Sequence, residues 1–200
     1  MKNIIFMLIL SLIIIIILEI KKENHNDIAI NFKSDIDNRF YTVKNDKLKY
    51  NTANILASIR QKIITLSEYL YKFKNTKFRK YKTRIEFLYE QIYKTNFLDN
   101  LDNPDIISTT INKGDSIVLC VRNKKIKKLY SLNLLMYVAL HELSHIISPT
   151  YTINNIHDDI FKEIFHIVAK LAIKLGIYKK INFSKYPVKY CGLLINNSII

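Results

Sequence analysis

The apolar positions of this chain change their rhythm several times along its length, and each change marks a different element. Residues 4–18 are apolar everywhere except Ser11 and show no period. Such a run is about 22 Å long as a helix, and residues 1–20 reach nearly 30 Å with Lys2 and Glu19 toward the two interfaces, about the thickness of a bilayer core. Residues 23–38 are polar and of mixed charge and read as a linker. Phe40 to Val43 offers a first strand. From Thr52, a candidate N-cap, Ile55, Leu56, Ile59, Ile63, Leu66, Leu70 and Phe73 recur at three and four and predict a helix. A second helix, about 78–97, carries Tyr81, Ile85, Leu88 and Ile92. The β-rich run Ile117-Val-Leu-Cys-Val-Arg122 predicts a strand. Leu132, Leu135, Met136, Ala139, Leu140, Leu143 and Ile147 then place a helix over 131–147, capped by Ser131 and stopped by Pro149. A last helix over 158–175 shows Phe161, Ile164, Phe165, Val168, Leu171, Ala172 and Leu175, with Gly176 as its C′ residue.

This alternation of helices with a few strands predicts an α+β fold. Three glycines and three prolines in 200 residues leave few tight turns, and no internal repeat is evident. Behind the leader there is length for one domain with a real core. The expected organisation is a transmembrane anchor over 1–22, a linker over 23–39 and one folded domain over 40–200. A secretory signal peptide is the competing reading of the leader, but Leu18-Glu19-Ile20-Lys21 lacks the small residues of a cleavage site. Lys21, Lys22, Lys33 and Arg39 outnumber Lys2, which places the domain on the cytoplasmic side of a membrane as a single-pass protein. Cys120 and Cys191 make no disulfide framework, and a reducing compartment is the default for them.

The net charge of +14 raises the question of a polyanionic partner. Lys72, Lys74, Lys77, Arg79, Lys80, Lys82 and Arg84 cluster with Tyr71, Phe73, Phe78 and Tyr81 interleaved, and Lys124, Lys125, Lys127 and Lys128 form a second run in a turn. A surface that follows nucleic-acid phosphates has this composition, and so have an anionic-lipid surface and ordinary solvated helix faces.

The chemistry lies in His141-Glu142-Leu143-Ser144-His145. On a helix, residues four apart stand above one another, so His141 and His145 share a face with Glu142 beside them. Two histidines and a glutamate on a mostly buried helix need a partner, and Zn²⁺ is one that fits: catalytic zinc takes three protein ligands and keeps one position open. The third ligand is expected at His157, where a turn-rich stretch holding Pro149, Asn154 and Asn155 lets a second helix return over the first. Glu163 and His166 on that helix are the rival ligands. Satisfied core histidines are the alternative to a metal site.

His141-Glu-Leu-Ser-His145 followed by His157-Asp-Asp-Ile-Phe161 resembles the paired motifs of the WLM metallopeptidases, the group of the Wss1 and Spartan proteases. The strand 117–122 and Tyr186-Pro-Val-Lys-Tyr-Cys-Gly192 extend the likeness, the latter resembling versions encoded by large DNA viruses, over roughly residues 41–195. The loop between the second and third histidines is longer here than in yeast-type members. The resemblance implies a zincin-like domain in which His141, His145 and His157 hold Zn²⁺ and Glu142 is general base to a zinc-held water during peptide hydrolysis. It implies proteins attached to nucleic acid as substrates, whereas the leader favours membrane-proximal ones. The strand 117–122 is expected at the sheet edge, receiving extended substrate through the backbone at Leu119 and Val121. Tyr151, Tyr186 and Tyr190 are candidate oxyanion donors, Tyr190 foremost. Asp158 or Asp159 either orients a ligating imidazole or faces the dipole of the last helix. The alternative function is a structural membrane or virion protein whose zinc only staples the fold; Glu142 speaks against it.

Overall fold

The computed structural model describes residues 9–15, 28–101, 103, 106–123, 125–149 and 157–200. Among them the order is β1 (Ala29–Lys33), β2 (Phe40–Lys44), α1 (Lys49–Lys72), a 3₁₀ turn (Arg79–Tyr81), α2 (Lys82–Ile92), β3 (Asn96–Asp99), β4 (Thr109–Ile111), β5 (Ser116–Leu119), α3 (Leu132–Ile147), α4 (Asp159–Lys174), β6 (Val188–Tyr190) and β7 (Leu193–Ile195). This is the expected α+β class. β1 and β2 form an antiparallel hairpin with Phe32 opposite Tyr41, and β6 and β7 form another. The remaining sheet runs β3-β5-β4, with β5 parallel to β3 and antiparallel to β4.

α3 is the centre of the molecule. It is buried on nearly every side, packing against α1, α2, α4 and the β4–β5 pair, which is why its sequence is apolar around most of the circumference. Ser131 caps it by accepting from the Leu134 amide, and Asp158 caps α4 by accepting from the Phe161 amide at 2.7 Å. The Asp158 and Asp159 carboxylates sit at the start of α4, where they complement the helix dipole, Asp159 also pairing with Lys162.

Several expectations are corrected. The stretch read as a linker contributes β1, because Ile30 and Phe32 pack their apolar faces against the core while the intervening residues face water. Thr52 does not cap α1, which begins at Lys49 after Leu48; its buried hydroxyl instead accepts from Arg122. The second helix ends at Ile92, and Phe97 lies on β3. The strand expected at the edge is the central one: β5 is hydrogen-bonded on both sides, and Leu119 and Val121 are wholly buried. They are core residues, not a track for substrate; the sheet edge beside α3 belongs to β4.

Arg122 organises the surroundings of β5. Its buried guanidinium donates to Asp46, to Asp99 at 2.6 Å and to Thr52 at 3.0 Å, joining the β2–α1 turn, α1 and β3. A buried cation without such partners costs several kcal/mol, roughly 3–5. Cys120 and Cys191 are joined as a disulfide, their Cα atoms 6.4 Å apart, so the two cysteines do form a covalent clasp, fixing β6 against the end of β5.

In the basic cluster, the interleaved aromatics are used internally. Tyr71 stacks on Tyr89, Phe73 packs on Tyr69 and Tyr81 is buried. Lys74 lies 3.3 Å above the Tyr71 ring and pairs with Glu86, and Lys80 pairs with Glu163. No helix among the described residues is long and apolar enough to cross a membrane. Residues 9–15 are helical, and most of the expected anchor lies outside the described residues.

Candidate metal centre

The Nε2 atoms of His141, His145 and His157 form a near-equilateral triangle with sides of 3.2, 3.0 and 3.2 Å. Helical spacing brings the first two together on α3, and His157, one residue before the cap of α4, swings in from the neighbouring helix. Each imidazole nitrogen has one in-plane position, filled by a proton or a lone pair. Within a triangle each nitrogen would have to donate to one neighbour and accept from the other at that one position, so hydrogen bonding cannot satisfy all three. A shared cation can. Three ligands about 2.0–2.1 Å from a tetrahedral Zn²⁺ stand about 3.3 Å apart, within a few tenths of the separations here, so the donor set fits that ion in size as well as chemistry.

Phe161 holds the three rings in place. Its ring lies against His145 at 4.4 Å, His157 at 4.7 Å and His141 at 4.9 Å, and Phe165 adds an edge contact to His141. This apolar backing desolvates the imidazoles. Burial first, then the neighbouring histidines, lowers His141 to about 3; burial, His157 and Lys113 lower His145 to about 4. His157 is also lowered, by burial and then Lys162. All three shifts leave neutral rings with lone pairs available at neutral pH, the form a metal requires.

Glu142 points into the same cleft and is 4 % exposed. Burial raises its carboxyl to about 7, opposed by a hydrogen bond from Thr110. The Thr110 hydroxyl, on edge strand β4, lies 3.0 Å from both the Glu142 carboxylate and its main-chain carbonyl. Two residues before Thr110, Ser108 Oγ meets the Tyr190 hydroxyl at 2.8 Å and accepts from the Cys120 amide. Burial raises the Tyr190 phenol, which therefore keeps its proton.

The structure thus gathers His141, Glu142, His145, His157 and Tyr190 around one cleft. Glu163 is turned away to Lys80, and His166 Nδ1 meets the Ile199 carbonyl at 2.8 Å, so neither rival joins the triangle. Tyr186 is exposed and does not line the cleft; Tyr151 lies outside the described residues. Thr110, Ser108 and Lys113 were not foreseen. A threonine in a three-residue strand carries no periodic signal, and only contact with α3 distinguishes it.

Fold and site together define an α+β protein with a histidine triad of the HExxH type, consistent with a zinc metallopeptidase centre. No family model matches the sequence. The chain belongs to the family of an uncharacterised protein of Acanthamoeba polyphaga mimivirus, to which it is 39% identical over 168 residues, 84% of this chain and 83% of that one. An uncharacterised protein of Invertebrate iridescent virus 3 is 36% identical over 105 residues, 52% of this chain and 62% of that protein. Among solved structures the fold resembles Wss1 from Saccharomyces cerevisiae, with 17% identity and a TM-score of 0.35 over 48% of this chain and 77% of that one. That likeness is slight.

Proposed function

We propose that this chain is a zinc-dependent endopeptidase. The observation that carries the reading is the triangle of Nε2 atoms, 3.0–3.2 Å on a side, with a buried carboxylate on the adjacent helical position. His141, His145 and His157 would hold the ion. When bound, Zn²⁺ supplies Lewis acidity, polarising a carbonyl and bringing the pKa of a water down toward about 7.

Glu142 takes the proton from the attacking water onto a carboxylate oxygen and passes it to the leaving amine. Burial raises the Glu142 carboxyl above its ordinary value, which strengthens it as a proton acceptor. Thr110 holds that carboxylate in place from β4. Tyr190 would stabilise the oxyanion of the tetrahedral intermediate in the arrangement in which Ser108 donates to it, which leaves the phenolic proton for the cleft. An extended substrate adds along the outer edge of β4, where no strand pairs among the described residues.

A purely structural zinc site has no use for a buried carboxylate beside its ligands, so Glu142 favours the enzyme over the staple. The +14 charge supports substrates held near nucleic acid, and the apolar leader supports attachment near a membrane. The test is cleavage of an unfolded protein by the zinc-loaded chain: chelation and Glu142→Gln should each abolish it, the variant still binding zinc. Undiminished cleavage by Glu142→Gln would remove Glu142 from this role.

A further inference from the structure

The cleft that opens on the triad is about 820 Å³, in the range of ligand clefts, about 300–1,000 Å³. Away from the triad its walls are mainly aliphatic and aromatic: Ile107 and Ile111 beside β4, Val138 on α3, Phe165 on α4, and Leu193 and Ile195 on the β6–β7 hairpin. Most of the polar groups that share this lining also have partners of their own within the fold. Thr110 serves Glu142, Tyr190 and Ser108 meet each other, the Tyr137 hydroxyl accepts from the Ile199 amide, and Lys113 donates to the Ser148 carbonyl at 3.3 Å.

We infer that the cleft wall formed by Val138, Phe165, Leu193 and Ile195 selects peptide substrates with a bulky apolar side chain beside the scissile bond. The inference rests on the peptidase reading and adds the substrate class. A leucine, isoleucine, methionine or phenylalanine side chain entering this wall loses water and forfeits no hydrogen bond. A charged or amide side chain loses its water against Val138, Phe165, Leu193 and Ile195, whose side chains offer it no hydrogen bond, so it is disfavoured. The hairpin is the distinguishing wall. Leu193 is 54% exposed and lies directly after the Cys191-Gly192 turn, which the Cys120–Cys191 clasp fixes against β5, so its side chain is presented to the cleft from an anchored support.

The test uses the zinc-loaded full chain and a peptide library randomised around a central bond, with cleavage sites read by mass spectrometry. Leu, Ile, Met and Phe should be enriched at one position flanking the cut, with kcat/KM roughly ten- to a hundred-fold above Asp, Lys or Gly there. Leu193→Asp, at an exposed position, should reduce that preference mainly through KM while zinc content stays unchanged; Leu193→Met should preserve it. Cleavage with no preference at either flanking position, or a preference unaltered in Leu193→Asp, would overturn the inference and leave the peptidase reading standing. Failure to cut any peptide despite bound zinc would instead overturn the peptidase reading and this inference with it.

Discussion

At the scale of single residues, the site is a set of groups whose ordinary ionisation has been shifted by burial. His141 and His145, at about 3 and about 4, stay neutral in the folded chain across a range where the unfolded chain protonates them near 6.5. The unfolded state then binds more protons, so these histidines destabilise the metal-free protein as pH falls below about 6.5. Glu142 has the opposite sign. Its folded value of about 7 lies above the unfolded 4.5, so its contribution is present below the lower value and is lost as pH rises through the upper one. In chelator, the Glu142→Gln variant should therefore gain stability relative to wild type between about pH 4.5 and 7, read as a rising difference in urea midpoints. A difference that stays constant over that window would show that the carboxyl is not held in its neutral form.

At the scale of elements, β4 is three residues long and brings one hydroxyl to the carboxylate of α3. Thr110→Val should leave zinc binding intact and lower kcat about tenfold or more with little change in KM, and Thr110→Ser should recover most of the loss. Equal kcat for threonine, valine and serine would reduce Thr110 to a packing residue. The long amphipathic elements were legible because burial on one face imposes a period: Leu132 to Ile147 and Phe161 to Ala172 declare α3 and α4, and Ser131 is the cap that begins α3. The short strands were not. Asn96–Asp99 and Thr109–Ile111 exist because β5 pairs with them on both sides, and pairing between distant segments leaves no local pattern. For the same reason 117–122 read as an edge: its sequence reveals an apolar strand but not how many neighbours it has. The convergence of His141, His145 and His157 was legible from spacing and from the turn-rich stretch before His157; the support that Phe161 gives all three rings required the packing of α4 on α3.

At the scale of the whole molecule, two buried links hold the cleft walls to the core. Arg122 ties α1, β3 and the β2–α1 turn to the end of β5 through Thr52, Asp99 and Asp46. The Cys120–Cys191 clasp, 71 residues apart in sequence, holds the β6–β7 wall and with it Tyr190. Opening a loop of that size restores chain entropy worth up to about 4 kcal/mol. A Cys120→Ala/Cys191→Ala chain should therefore melt measurably lower, and the oxidised wild type should show no free thiol when unfolded. Two free thiols under those conditions and an unchanged melting temperature in the double variant would contradict the clasp. X-ray absorption at the zinc edge of the purified chain tests most directly whether the three imidazoles share one ion. It should show one zinc per chain with nitrogen and oxygen neighbours near 2.0–2.1 Å and an imidazole scattering pattern that weakens in His157→Ala. Sulfur neighbours, a spectrum unchanged in His157→Ala, or no zinc retained by the folded chain would contradict it.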